Sequence, residues 1–177
     1  MTILDNPNAS FLNRFQTDIT AIREKVNLIT EEEWTAWSVR QDKFNGFHRA
    51  TNSFPLIWTQ TEHNINHPMW AVTQPVIDQL EQFYDAPVNS CIYARLPSGR
   101  AIPTHFDKGM LTQVHRNHIP IISNDRVTFL IGDERAPWQE GRCYEINNDL
   151  AHSVANRSTV DRVHLIIDIW HKDKKKS

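Results

Sequence analysis

Arg162-Val-His-Leu-Ile-Ile-Asp-Ile-Trp170 alternates for nine residues, with Val163, Leu165, Ile167 and Ile169 on one face of an extended chain and Arg162, His164, Ile166 and Asp168 on the other. A period of two predicts a strand laid on an apolar layer. Working back from it, six more β-rich runs appear at 88–96, 101–107, 114–122, 127–132, 142–147 and 151–156, separated by turn residues. Short strands at such regular spacing predict a sandwich or jelly roll in the C-terminal half.

The N-terminal half has a different texture. Phe11, Phe15, Ile19, Ile22, Val26 and Ile29 recur at three- and four-residue steps, which predicts an amphipathic helix over 11–29 with Ser10 as its cap. Thr30 followed by Glu33 has the form of a capping box, opening a second short helix that carries Trp34 and Trp37 and ends before Gly46. Between Arg40 and Pro68 one strand is expected at 56–61, and His48, His63 and His67 read as surface or loop residues. Pro75 suits a first helical position, with Val76, Leu80 and Phe83 on one face of a helix ending near Tyr84. The expected organisation is a single domain over 1–177. Its helical and irregular part, 1–87, packs on a β core at 88–171, and a basic tail at 172–177 is solvated.

Composition fits one packed core: 177 residues, 40% hydrophobic and 23% charged. The formal net charge of −2 supplies no basic field for a phosphate backbone, so nucleic acid is not an expected partner. No apolar run approaches the roughly 18–20 residues needed to span a bilayer, and the first residues lack a signal-peptide pattern, so no membrane association and a cytoplasmic location are expected. Cys91 and Cys143 sit in apolar strand contexts and read as buried free thiols.

Nine histidines make position the deciding question. His105 and Asp107 stand two apart at the end of the 101–107 run, on one face of an extended chain. His152 lies in another expected strand. Two imidazoles and one carboxylate on one side of a ferrous ion form a facial triad with open coordination positions, whereas structural metal sites are closed, usually with cysteine. Open positions on Fe(II) suit a bidentate 2-oxo acid and O2, and the far carboxylate of such an acid needs a cation once it leaves water. Arg162 is the natural candidate, since its planar fork matches a carboxylate; an ordinary surface arginine at a strand start is the alternative.

From about Tyr93 to His171 the sequence resembles the aspartyl/asparaginyl β-hydroxylase family of Fe(II)- and 2-oxoglutarate-dependent dioxygenases. The elements occur in the family's order: Leu96-Pro-Ser-Gly, His105-Phe-Asp107, Arg116-Asn-His118-Ile-Pro120, Trp138-Gln-Glu-Gly141, His152, Asn156, Arg162 and Asp168-Ile-Trp-His171. The resemblance implies a double-stranded β-helix of jelly-roll type, iron held at His105, Asp107 and His152, and Arg162 as the co-substrate arginine. It also implies that Arg116 and His118 contact 2-oxoglutarate near its iron-chelating end. Asp107 departs from the animal enzymes that name the family, which carry a small residue there, so the chain looks closer to bacterial members, some of which hydroxylate free amino acids.

The expected activity is therefore hydroxylation of an amino acid or an aspartyl/asparaginyl-type residue, with release of succinate and CO2, using Fe(II), 2-oxoglutarate and O2. The substrate is a small amino acid or a peptidyl residue. Arg95, Arg100 and Tyr93 are candidates for recognising a substrate carboxylate. Trp138 and Trp170 read as packing, Asn156 as a turn residue, and His115 and His164 as structural histidines. Two alternatives remain: a metal-binding jelly roll without turnover, acting as a sensor or binding protein, and a zinc or manganese cupin enzyme of another reaction type.

Overall fold

The structure is a computed structural model describing residues 1–37, 49–59 and 62–172. In chain order its elements are β1 (Phe11–Gln16), α1 (Thr20–Val26), α2 (Glu31–Thr35), β2 (Asn52–Thr59), β3 (Glu62–His63) and α3 (Trp70–Tyr84). There follow β4 (Val88–Leu96), β5 (Ala101–His105), β6 (Val114–Ile122), β7 (Val127–Ile131), β8 (Glu134–Arg135), β9 (Arg142–Ile146), β10 (His152–Asn156) and β11 (Arg162–Trp170). All seven expected β runs of the C-terminal half form strands.

They build two antiparallel sheets. The larger has the order β1-β9-β6-β11-β4-β2-β3 and the smaller β5-β10-β7-β8. From β4 onward the chain crosses repeatedly from one sheet to the other, β7 and β8 being the one consecutive pair within a sheet. This winding is the double-stranded β-helix, or jelly roll.

The alternation in β11 now acquires its meaning, because both faces are buried but against different material. Val163, Leu165, Ile167 and Ile169 join Cys91, Tyr93, Ile119 and Ile121 in a layer under the helices, packed on Ile22 and Val26 of α1 and Ile77 and Leu80 of α3. Each such aliphatic side chain contributes about 1.5–3 kcal/mol on burial. The opposite face of the sheet looks toward the smaller sheet, where Leu96, Ile102, Val127, Phe129, Ile131, Ile146 and Val154 form a second apolar cluster. Arg162, His164 and Asp168 line that inner face and are buried. Cys91 and Cys143 are buried free thiols.

The N-terminal half differs from its sequence pattern in two places. Residues 11–16, expected as the start of a helix, are strand β1, paired antiparallel with β9 through Phe11 opposite Ile146 and Leu12 opposite Glu145. A spacing of four, as between Phe11 and Phe15, returns to the same face under both periods, so it does not distinguish helix from strand. The tertiary partner decides. Ser10 caps no helix: its carbonyl accepts from Asn147 N at 2.9 Å, and α1 starts at Thr20. Helix α3 begins at Trp70, five residues before Pro75, so the proline lies inside it and removes the bond its N–H would make to Ala71.

The capping box at the start of α2 forms as expected, with Thr30 Oγ1 accepting from Glu33 N at 3.2 Å and Thr30 N donating to Glu33 Oε2 at 2.8 Å. The strand expected at 56–61 runs over Asn52–Thr59. His63 is exposed and His67 is half-buried, stacked on Phe54 at 4.8 Å. His48, the expected helix end before Gly46 and the tail from 173 onward lie outside the described residues. No helix among the described residues is long and apolar enough to cross a membrane.

Candidate metal centre

Strands β5 and β10 are hydrogen-bonded neighbours in the smaller sheet, and their register sets His105 directly opposite His152. The two rings lie 4.3 Å apart between centroids. Asp107 follows two residues after β5 ends, and one ligand atom from each of His105, Asp107 and His152 falls within 4.8 Å of the other two. All three are buried.

The tautomers favour metal binding. His105 Nδ1 donates to the Pro103 carbonyl and His152 Nδ1 to the Leu150 carbonyl, each at 2.9 Å. A carbonyl can only accept, so Nδ1 carries a proton on both rings and Nε2 is the nitrogen left to meet a metal. Such backbone anchoring of the remote nitrogen is the usual outer support of a metal-bound imidazole. Burial holds His152 below the ordinary imidazole range although Asp107 acts in the opposite direction, so its ring stays neutral. Two imidazoles and one carboxylate, with no thiolate, suit a first-row divalent ion.

Asp107 is oriented from the larger sheet. Arg116 NH1 donates to its Oδ2 at 2.8 Å, while Nε and NH2 of the same guanidinium donate to Asp168 Oδ1 and Oδ2 at 3.0 and 2.9 Å. Ser90 Oγ donates to Asp168 Oδ2 at 2.8 Å. The register lines these groups up across three strands, with Asp168 opposite Arg116 on β6 and opposite Ser90 on β4. Burial opposes the charge of Arg116, but Asp107 and Asp168 more than compensate and hold it above the ordinary arginine range.

Arg162 reaches the site from the far side. After His152, strand β10 ends at Asn156, whose side-chain amide donates to the Leu96 and Val160 carbonyls at 3.0 and 2.9 Å while its Oδ1 accepts from Ser158 N at 3.1 Å. This turn carries the chain from the smaller sheet to the larger, so His152 and Arg162 face each other across one pocket. That inner pocket is lined by His105, His152, Arg116, His118, Arg162 and Phe129, among others. Its volume is about 30 Å³, room for roughly two waters. A five-carbon diacid therefore has to widen it. On the other side of Arg116 and Ile166 lies a second cavity of about 230 Å³, bounded by Trp58, Asn89, Ser90, Asp107, Lys108 and Asp168 and further residues.

A sequence model of the family described as Aspartyl/Asparaginyl beta-hydroxylase matches residues 16–172. The chain belongs to that family. It is a family of hydroxylases, so the chain is an enzyme by kinship. Among solved structures it is similar to a prolyl-4-hydroxylase of Pseudomonas putida (TM-score 0.55, 10% identity, 97% of each chain covered). It is also similar to a viral collagen prolyl hydroxylase from Paramecium Bursaria Chlorella virus-1 (0.56, 8% identity, 92% of this chain and 97% of that one). A third is an oxidoreductase of the 2OG-Fe(II) oxygenase family from Burkholderia pseudomallei (0.53, 12% identity, 70% of each). At such identities the likeness concerns the fold. No curated protein matches the sequence.

The six residues expected at the site, His105, Asp107, Arg116, His118, His152 and Arg162, come together around one region of the jelly-roll interior. Three others do not. Arg95 points to the helix side of the sheet, where it pairs with Glu31 of α2 and lies 5.1 Å from the Trp34 ring. Tyr93 is buried in the layer under the helices, its hydroxyl 2.7 Å from Thr73 Oγ1, and Arg100 is exposed in the turn before β5. The parity of β4 explains this, since odd residues there pair with Val163 and Leu165 of the helix-facing layer. His115 likewise faces outward, stacked on Tyr84 at 4.3 Å. Trp138 packs beside the pocket, stacked on Phe129 at 4.7 Å.

Sequence reasoning passed over Asp168 as a functional group, and it treated His164 as structural. Both share the parity of Arg162 in β11, and that signal was available. Ser90 and Phe129 carried none, because their relevance follows from strand register and sheet-to-sheet packing alone.

Proposed function

We propose that the protein is an Fe(II)- and 2-oxoglutarate-dependent dioxygenase that hydroxylates an amino acid or an aspartyl/asparaginyl-type residue. The observation carrying this is the buried His105–Asp107–His152 set, with Nδ1 of both imidazoles donating to backbone carbonyls and the Arg162 guanidinium lining the pocket that holds the two histidines. When bound, Fe(II) supplies the coupling of 2-oxoglutarate decarboxylation by O2, to succinate and CO2, with insertion of oxygen into a C–H bond.

In this scheme His105, Asp107 and His152 would hold the metal, three side chains of the type that suits a ferrous ion. Arg162 grips the far carboxylate with its planar fork. Arg116 fixes the Asp107 carboxylate and, with His118, faces the chelating end of the co-substrate. The 230 Å³ cavity on the Asp168 side receives the group to be hydroxylated. Phe129 and Trp138 keep water from the guanidinium end, which strengthens its pairing with a carboxylate.

A screen of free amino acids and short peptides for substrate-dependent succinate release, corrected for uncoupled turnover, tests the assignment. Succinate and hydroxylated product in equal amounts are expected for one substrate class. A protein that binds metal but yields no succinate with any of them is instead a metal-binding jelly roll without turnover.

A further inference from the structure

On the inner face of β11, two residues beyond Arg162, stands His164, fully buried. Arg162 NH2 donates to His164 Nδ1 at 2.7 Å. An arginine can only donate, so Nδ1 is the acceptor and the neutral ring carries its proton on Nε2. A second positive charge in contact with the guanidinium would be expelled, and burial together with Arg162 and His118 keeps His164 well below the ordinary imidazole range. The ring is also held from behind: Trp138 lies 5.2 Å from it between centroids, Trp138 stacks on Phe129, and the Phe129 ring lies 5.9 Å from the Arg162 guanidinium carbon. One direction of the guanidinium is thus set by an acceptor nitrogen and another by an aromatic face. Long arginine side chains lose affinity when their rotamers must be ordered on binding, and a fork already held in place avoids that loss.

We infer that His164 is a positioning residue for the co-substrate: a neutral imidazole whose Nδ1 aims the Arg162 fork at the distal carboxylate of 2-oxoglutarate. The inference rests on the proposed co-substrate, and its test separates the two. The Mn(II)-loaded protein is titrated by calorimetry with 2-oxoglutarate, which has a distal carboxylate, and with oxalate, which offers only the chelating end. His164→Leu is expected to weaken 2-oxoglutarate binding about tenfold and leave oxalate within about twofold. His164→Asn, whose amide oxygen can take the place of Nδ1, should restore most of the loss. His164→Gln, whose amide falls near Nε2 instead, should resemble His164→Leu and supplies the measurement should the leucine variant fold poorly. In an Arg162→Lys background the leucine change should add little. Unchanged 2-oxoglutarate binding, or equal weakening of both ligands, overturns the role of His164. Wild-type protein that binds oxalate but not 2-oxoglutarate overturns the co-substrate itself, and the inference with it.

Discussion

Asp168→Asn is the most informative single change, because the carboxylate touches no proposed ligand of the metal yet anchors the guanidinium that orients one. Asp168 is 1% exposed and accepts three hydrogen bonds, two from Arg116 and one from Ser90. Removing its charge leaves buried Arg116 compensated by Asp107 alone and points an amide N–H at donors. Breaking a buried pair costs about 3–5 kcal/mol, and the remaining Asp107 contact argues for the lower end, about 3 kcal/mol. For a chain of this length that is a fall of roughly 6–12 °C in Tm. With Arg116 free to turn, Asp107 loses its orienting contact, and metal affinity should drop about 10- to 100-fold. Ser90→Ala is the graded control: it removes one neutral donor, costs about 1 kcal/mol, and leaves metal affinity in place. Urea unfolding and metal titration of the same samples measure both effects. If Asp168→Asn loses stability as stated but binds metal like wild type, the Arg116 bridge does not hold Asp107 and that part of the site is wrong.

Other expectations follow from the same structure. Arg162→Lys replaces a fork by a point charge and should raise the apparent 2-oxoglutarate requirement of succinate release by about 10- to 100-fold, with an unchanged requirement removing Arg162 from the site. Gly141→Ala should destabilise by at least 1–3 kcal/mol in chemical denaturation, because φ there is +76° and a Cβ would stand 2.7 Å from the Thr17 carbonyl; a neutral result would mean that the β1–β9 edge yields easily. Leu165→Ala, at a fully buried position between the sheet and the helices, should cost about 2–5 kcal/mol while leaving metal affinity untouched, since its side chain faces away from the site.

The legibility of the sequence follows from which physical signal each element carries. Strands β4 to β11 were readable because alternation and turn residues are local, and the one extra piece, the two-residue β8, is too short to show a period. Strand β1 was misread because Phe11 and Phe15 satisfy both periods and the choice depends on β9, about 130 residues away. The triad could be proposed from sequence because His105 and Asp107 are two apart on an extended chain. Their meeting with His152 depends on the β5–β10 register, which no local pattern encodes. Arg95 and Tyr93 were placed near the substrate by closeness in sequence, while the parity of β4 sends them to the opposite face. The Asp107–Arg116–Asp168–Ser90 chain spans three strands and a loop, so it becomes visible only when the larger sheet is assembled.

His105, Asp107 and His152 are expected to hold one ferrous ion, with 2-oxoglutarate bound beside it. Anaerobic titration of the wild-type protein with Fe(II) and then 2-oxoglutarate tests this most directly. One Fe(II) per chain and a weak visible charge-transfer band that saturates with 2-oxoglutarate are expected, and both should vanish in His105→Ala and in His152→Ala. A band that persists in either variant, or wild-type protein that takes up no Fe(II), contradicts the account.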